Sequence, residues 1–208
     1  ISCITHRNDP IFRGTMEGAV PGSLGENPVM SSIMRSAIAW NALESAGVPG
    51  VTDVFGQPIQ AGVNIVVQLH QTYRGQAKQA AAAIWGSNSA HLRYKNIWVL
   101  DDDIDIHDYG ALDWALAYRV NAAEDDIIFF PSTFGSLLDP STRLADRDPM
   151  LYGTGKWTRM LIDATVNLDF DPEEQYGGNR YPSMVIPHDQ DQEKVDRRWE
   201  EYGFKPDK

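Results

Sequence analysis

A single cysteine, Cys3, is all the thiol this 208-residue chain possesses. That excludes an internal disulfide and fits a reducing compartment, so the cytoplasm is the expected location. Long apolar runs are missing as well. No window approaches the roughly 18 to 20 residues a membrane-spanning helix needs, so no membrane partner is expected. No basic stretch leading into an apolar one opens the chain, so no secretory leader is expected either. Positive charge is short: 18 Lys and Arg against 29 Asp and Glu leave a net charge of −11. Affinity for nucleic acid comes mainly from cations neutralising phosphates, and this balance disfavours such a partner. Repeats and low-complexity tracts are absent. The chain opens on Ile1 rather than Met, which reads as a piece of something longer.

What is present is enough for one α/β domain with a tail. Its organising stretch is residues 94–120, YKNIWVLDDDIDIHDYGALDWALAYRV. Ile97 to Leu100 is a short apolar strand closed by three aspartates, and Tyr109 to Val120 carries apolar residues at helical spacing, with Asp105 or Asp108 available as N-cap. An apolar strand running into an amphipathic helix marks a βα unit of a sheet covered on both faces. Upstream, Ile1 to Thr5 alternates like a strand, and His6 to Pro28 is a Gly- and Pro-rich loop of a length that is more often functional, or laid over another domain, than idle. A helix follows over Val29 to Ala46, ended by Gly47. Val51 to Phe55 and Ile65 to Gln71 read as strands, and Gly75 to Trp85 as an Ala-rich helix. Asp126 to Phe130 is a further buried strand, with a loop from Pro131. Lys156 to Thr165 mixes helical and strand signals and reads as a short strand near its end. An aromatic, Pro-rich arm over Gly177 to Pro187 leads to a terminal helix, Glu193 to Tyr202. The order predicts a mainly parallel sheet with helices on both faces, plus a carboxyl-terminal arm and helix.

Four features could carry chemistry. Asp101, Asp102, Asp103 and Asp105 stand at the carboxyl end of a strand, where open α/β sheets bind ligands. An EF-hand loop fails there, because Ile106 and Leu112 occupy the positions of its Gly and Glu. A metal-dependent nucleotide-sugar glycosyltransferase using Asp101 and Asp103 survives on local sequence. The structural alternative is a helix cap, a solvated loop and one ion pair with a distant Arg, and it is favoured about two to one because acidic loops before helices are common. The second feature is YRGQAK, residues 73–78, a strand-end turn into a helix whose N-terminus, with Arg74 and Lys78, would suit a phosphate. A plain turn with two solvated cations is the alternative. The five histidines include no pair at zinc-binding spacing. The 132–142 loop lacks the G-x-S-x-G context of an activated serine, so Phe134, Leu137 and Leu138 read instead as lining an apolar pocket.

Taken together, ITHRNDPIF, the Gly/Pro-rich loop ending in GEN, YRGQAK, VLDDDIDIHD running into DWALAYRV, GSLLDPST, KWTRMLIDAT and the closing DRRWEEYGF resemble the carboxyl-terminal domain of UbiD-type decarboxylases. The resemblance covers nearly the whole chain in order. It implies a part of an enzyme that reversibly decarboxylates aromatic or α,β-unsaturated acids with prenylated FMN as electron sink. In the family the catalytic Arg and acid pair, with the Mn²⁺ and K⁺ that hold the cofactor phosphate, belong to the central domain. The E-G-P-F-G-E type motif is missing here, and Glu26 lacks its context. No catalytic residue or metal ligand is therefore assigned to this chain, and no turnover is expected from it alone. By position in YRGQAK, Lys78 matches the lysine that reaches the flavin phosphate across the domain interface. The GSLLDPST match makes Phe134, Ser136 and Leu138 walls of the substrate pocket. Residues 1–175 then form the α/β domain, with 1–28 as strand and interdomain loop, and 176–208 form an arm and helix for homo-oligomerisation. The implied partners are the absent prenyl-FMN-binding domain, a further copy of the chain and a small aromatic or unsaturated acid. A purely structural assembly module is a third, compatible reading.

Overall fold

The computed structural model describes residues 1–12, 25–58, 63–88, 93–136, 139–148, 150, 156–182 and 187–203. Residues 13–24 of the long loop, Leu137, Leu138 and residues 183–186 of the arm lie outside these. Five strands, β1 (Val51–Gly56), β2 (Asn64–Leu69), β3 (Asn96–Asp101), β4 (Ile127–Phe134) and β5 (Lys156–Ala164), form one sheet in the order β1-β2-β3-β5-β4. Its centre is parallel: Ile65 pairs with Ile97, and Ile97 with Leu161. The two edges, β1 on β2 and β4 on β5, are antiparallel. The expected α/β fold with a parallel sheet is present, with its outermost strands reversed.

Helices α1 (Glu26–Ser45), α2 (Gln76–Gly86) and α3 (Tyr109–Tyr118) belong to this sheet. Strand alternation sends Ile65, Val67 and Leu69 to one face, where they join Ile97, Val99 and Leu161 against Ala39 and Leu43 of α1 and Ala77, Ala80 and Ile84 of α2. Small alanines let α2 lie close to the strands, and each branched side chain removed from water contributes roughly 1.5 to 3 kcal/mol. On the other face Gln68 Nε2 donates to the carbonyl of Ile104 (2.7 Å), which holds the 102–108 connection across the sheet on the way to α3. Leu112 and Ala115 are the buried residues of α3. Gly47 ends α1 with φ +70°, the left-handed conformation expected of it.

Several boundaries differ from the sequence reading. Residues 1–5 form no strand and are exposed, since an alternating pattern without a paired neighbour has nothing to complete its backbone hydrogen bonds. Strand β4 continues through Pro131 to Phe134. An edge strand tolerates a residue without an N–H, and the register slips between Phe130 and Thr133 where Ser132 takes φ +61°. Strand β5 spans nine residues, because its Lys156–Arg159 portion pairs only with β4 while Met160–Ala164 pairs with β3 as well.

The chain divides into two compact units, Ile1–Val166 and Asn167–Lys208. The second holds a bridge between Glu173 and Asn179, a stacked Phe170–Tyr181 pair 5.7 Å apart, and helix α4 (Asp189–Arg197). A 3-10 turn over Trp199–Tyr202 follows, so the terminal helix begins and ends earlier than its apolar pattern predicts. Among the described residues no helix is long and apolar enough to cross a membrane.

Candidate functional site

The carboxyl ends of β2, β3 and β5 meet the amino terminus of α2. Asp101, the last residue of β3, is 8% exposed, and its Oδ2 accepts from the Val166 N–H (2.5 Å). Burial pushes its carboxyl up to about 6, opposed by that N–H and by Arg119, and assisted by Asp103 and Asp102. Arg119, at the end of α3, is buried and grips Asp103 with both guanidinium nitrogens, one bond being 2.8 Å. Its Nη1 is 3.8 Å from Asp101, and its guanidinium lies 5.5 Å from the Trp114 ring centroid. Asp102 is 2.9 Å from His70 Nδ1. Asp105 accepts from the His107 N–H, and Asp108 caps α3 by accepting from the Gly110 N–H (2.8 Å).

Each aspartate of the run thus has a partner within the fold, and among the described residues no three His, Cys, Asp or Glu side chains are grouped to hold a metal ion. The D-x-D reading of Asp101 and Asp103 loses its basis, because Asp103 is committed to Arg119 and Asp101 to the β5 backbone. His107 pairs with Asp53 at 2.8 Å, so His70 and His107 each meet a carboxylate rather than one another.

One turn away, α2 begins at Gly75 with no side chain capping its first turn. Its opening N–H groups therefore have no capping partner within the helix. Gln76 is fully buried and ties the turn down: its Oε1 accepts from the Thr72 N–H (2.8 Å) and its Nε2 donates to the Pro49 carbonyl (2.7 Å). Beside it, Gln71 Nε2 donates to Thr165 Oγ1 (2.9 Å), which donates to Asp163 (2.6 Å), while Gln71 Oε1 is buried without a partner among the described residues. Lys78 is exposed on the first turn of α2, with Arg74 just before it. Lys78 is close enough to act on Asp126, whose carboxyl is raised chiefly by burial and lowered in part by that ammonium. Gln76 lies within YRGQAK, whereas Gln71, Asp126 and Thr165 were not legible as neighbours of this turn, since no motif marks them and only strand order brings them together.

The second expected segment lies elsewhere. Strand β4 starts beside Asp126 and runs antiparallel to β5, so Phe134 and Ser136 emerge at the opposite end of the sheet. Eight strand residues at about 3.3 Å each put roughly 25 Å between them and the Lys78 corner. The two segments stand at opposite ends of the sheet because β4 is reversed. At that end Lys95 Nζ donates to Asp139 Oδ2 (2.8 Å) and to Ser141 Oγ (2.7 Å), which ties the loop to the start of β3. The Ser136 carbonyl accepts from the Asp139 N–H (3.3 Å). Gly135 lies under the buried Trp157: a Cβ there would be 1.9 Å from the indole.

A mixed sheet with a parallel centre and an uncapped helix terminus at its carboxyl edge defines an α/β domain. Residues 28–164 match the family described as the 3-octaprenyl-4-hydroxybenzoate carboxy-lyase C-terminal domain, and the chain belongs to that family. An uncharacterized protein of Aeropyrum pernix is 32% identical over 203 residues, covering 97% of this chain and 37% of that protein. Another from Archaeoglobus fulgidus is 30% identical over 210 residues, covering 97% and 38%. The chain therefore spans less than two fifths of the length of these relatives. Among solved structures, a UbiD-class enzyme from Pelotomaculum thermopropionicum in complex with FMN is 28% identical with a TM-score of 0.65, covering 81% of this chain and 34% of that one. A 3,4-dihydroxybenzoic acid decarboxylase from Enterobacter cloacae, at 24% identity and a TM-score of 0.62 over 82% of this chain and 34% of that one, shares the fold.

Proposed function

We propose that the chain is the carboxyl-terminal domain of a reversible, non-oxidative carboxy-lyase for aromatic or α,β-unsaturated carboxylic acids, that it closes the substrate pocket and supports assembly, and that it has no turnover alone. Family membership supports the reaction class, and the uncapped α2 terminus beside Lys78 supports the cofactor contact. Prenylated FMN, when bound, supplies the electron sink for loss of carbon dioxide. This chain's residues fit only the phosphate end of such a cofactor. First-turn N–H donors and the helix dipole favour a dianion, Lys78 adds a mobile point charge, and the buried Gln76 and Gln71 hold the turn in place. The acid pair, Mn²⁺ and K⁺ belong to the domain that would face this one. Closure of this domain against that partner would exclude water from the reacting acid. A substrate wall built from Phe134, Ser136 and Leu138 would have to serve a cavity other than the Lys78 corner of the same copy.

Lys78→Ala in the longer protein should weaken flavin retention about tenfold or more, a loss typical of a charge-assisted phosphate contact. The same change should leave the melting temperature of this chain within a degree or so, as expected for an exposed side chain. Unchanged flavin retention would remove the cofactor role. Turnover by this chain alone, supplied with cofactor and abolished by Glu26→Gln, would overturn the claim of inactivity. Trp199 and Tyr202, 48% and 43% exposed, suit the assembly role. Light scattering should show oligomers that survive Lys78→Ala and are lost on Trp199→Ala.

A further inference from the structure

Helix α1 changes character along its length. Over its second half the pattern is the ordinary one: Ala39 and Leu43 are fully buried against the sheet, while Asn41 and Glu44 are exposed. Over its first half the pattern is inverted. Ser32 is buried, and Ser36 turns toward the end of β1, where its Oγ accepts from the Gly56 N–H (2.8 Å) and donates to the Ser32 carbonyl (2.8 Å). Ser32 Oγ donates in turn to the Val29 carbonyl (2.7 Å). Gly56 has no side chain to hold the helix off the strand: a Cβ there would stand 3.0 Å from the Ser32 carbonyl oxygen. The large apolar residues of the same turns point the other way. Met30, Ile33 and Met34 are 63%, 66% and 57% exposed, with Val29 beside them at 37%.

Met30, Ile33 and Met34 stand at i, i+3 and i+4, so they share one face of the helix. From Asn27 to Leu43 the helix carries a single charge, Arg35, and no ring of charge rims the stripe. A helix on the surface of a domain ordinarily turns its apolar side to its own core and its polar side to water. Here the core side is filled by serines, and the apolar side marks a surface that another body covers. The size of the stripe indicates which body. Four side chains over two turns fall far short of the roughly 20 residues a side that a stable contact between separate proteins uses. A covalently tethered neighbour needs less, because the tether supplies a high effective concentration. The longer relatives provide such a neighbour, since the chain spans less than two fifths of their length. Two of the four side chains are methionines, whose flexibility suits a surface that docks and releases.

We propose that the Val29, Met30, Ile33 and Met34 face of α1 is the docking surface for the remaining part of the longer protein, which meets it with an uncharged, apolar patch. The inference rests on the reading of this chain as one domain of a longer carboxy-lyase, and it names the surface on which that closure takes place.

Peroxide footprinting tests it, because Met30 and Met34 report their own cover: an accessible thioether is oxidised to the sulfoxide, and a covered one is spared. In the isolated chain both should oxidise within about threefold of the rate of free methionine, and in the longer protein each about fivefold more slowly or less. Ile33→Asp puts a charge in the middle of the stripe. In the longer protein it should return both methionines to within about twofold of the isolated-chain rate, while the melting temperature of the isolated chain stays within about 2 °C, as expected for an exposed side chain. Equal rates in the two proteins would overturn the proposal. So would slow oxidation already in the isolated chain, which would assign the stripe to a second copy or to the chain itself. Flavin retention and turnover are read separately. Protected methionines in a longer protein without flavin or turnover would keep the docking surface and remove the carboxy-lyase reading, and full turnover with unprotected methionines would do the reverse.

Discussion

The two ends of the sheet handle charge in opposite ways. At the carboxyl end, acids outnumber bases, yet the carboxylates are answered internally: Asp101 by a backbone N–H, Asp103 by a two-pronged Arg119, Asp102 by His70 and Asp108 by a helix start. At the amino end the cations are the surplus, with Lys95 paired to Asp139 while Arg35 and Arg93 face no carboxylate among the described residues. The most conspicuous charge in the sequence therefore serves the fold, and the two cations that face no carboxylate among the described residues, Arg35 and Arg93, lie outside any charged run. Density along the chain is a poor guide to which charges are available to a ligand.

Arg119→Leu should have the largest effect on the carboxyl end. Removing the guanidinium strands the buried Asp101 carboxylate and releases Asp103, and breaking a buried pair on one side costs about 3 to 5 kcal/mol. Urea denaturation should show that loss. A loss below about 1 kcal/mol, the range of exposed pairs, would mean the aspartate run is not a structural device.

Much of this contrast was readable in advance and part was not. The βα unit, the cap at Asp108 and an ion pair from the acidic run to a distant Arg follow from local rules, because helix starts and apolar strand runs are written in adjacent residues. The direction of β4 is not. Its IIFF run has the same composition whether it lies parallel or antiparallel, and only pairing with Met160 and Arg159 decides it. That reversal moved Ser136 away from Lys78. Likewise Gln71 and Thr165, 94 positions apart, meet only because β2 and β5 flank β3.

A second test uses pH. The folded-state pKa of Asp101, about 6, lies above the ordinary carboxylate value of 3.8, so between roughly pH 4 and 6 the folded state holds more protons than the unfolded one. Its contribution therefore falls as pH rises through that window and is level above it. The swing is on the order of 2 to 3 kcal/mol at most. Asp101→Asn can still accept the Val166 N–H, and should gain stability relative to the parent by that amount between pH 4 and 6.5. Parallel stability curves for the two proteins would show that burial does not dominate at Asp101. Asp139 behaves oppositely: burial raises its carboxyl, but Lys95 and Ser141 outweigh this and hold it below the ordinary value. Its contribution is therefore present at neutral pH and is lost as pH falls below about 4.

At the amino end, Gly135→Ala should be destabilising by roughly 1 to 3 kcal/mol, the usual range for overpacking. The added methyl meets the Trp157 indole at 1.9 Å, and Trp157 is 3% exposed with no room to retreat freely. Tryptophan fluorescence should shift as the indole is displaced. An unchanged emission maximum together with unchanged stability would show that the 135–142 loop does not rest on Trp157.

The smallest effect separates capping from metal binding within the acidic run itself. Asp108 accepts from the Gly110 N–H at 2.8 Å, and its replacement by Ala should cost about 1 kcal/mol, the typical value of an N-cap. Asp108→Asn or Asp108→Ser should restore most of it, because either side chain offers an acceptor oxygen at the same place. A metal ligand would behave differently: Asn would rescue poorly, and added Mn²⁺ would stabilise the parent more than the variant. Equal melting shifts of parent and Asp108→Asn on adding Mn²⁺, with rescue by Ser, would fix Asp108 as a helix cap rather than a metal ligand.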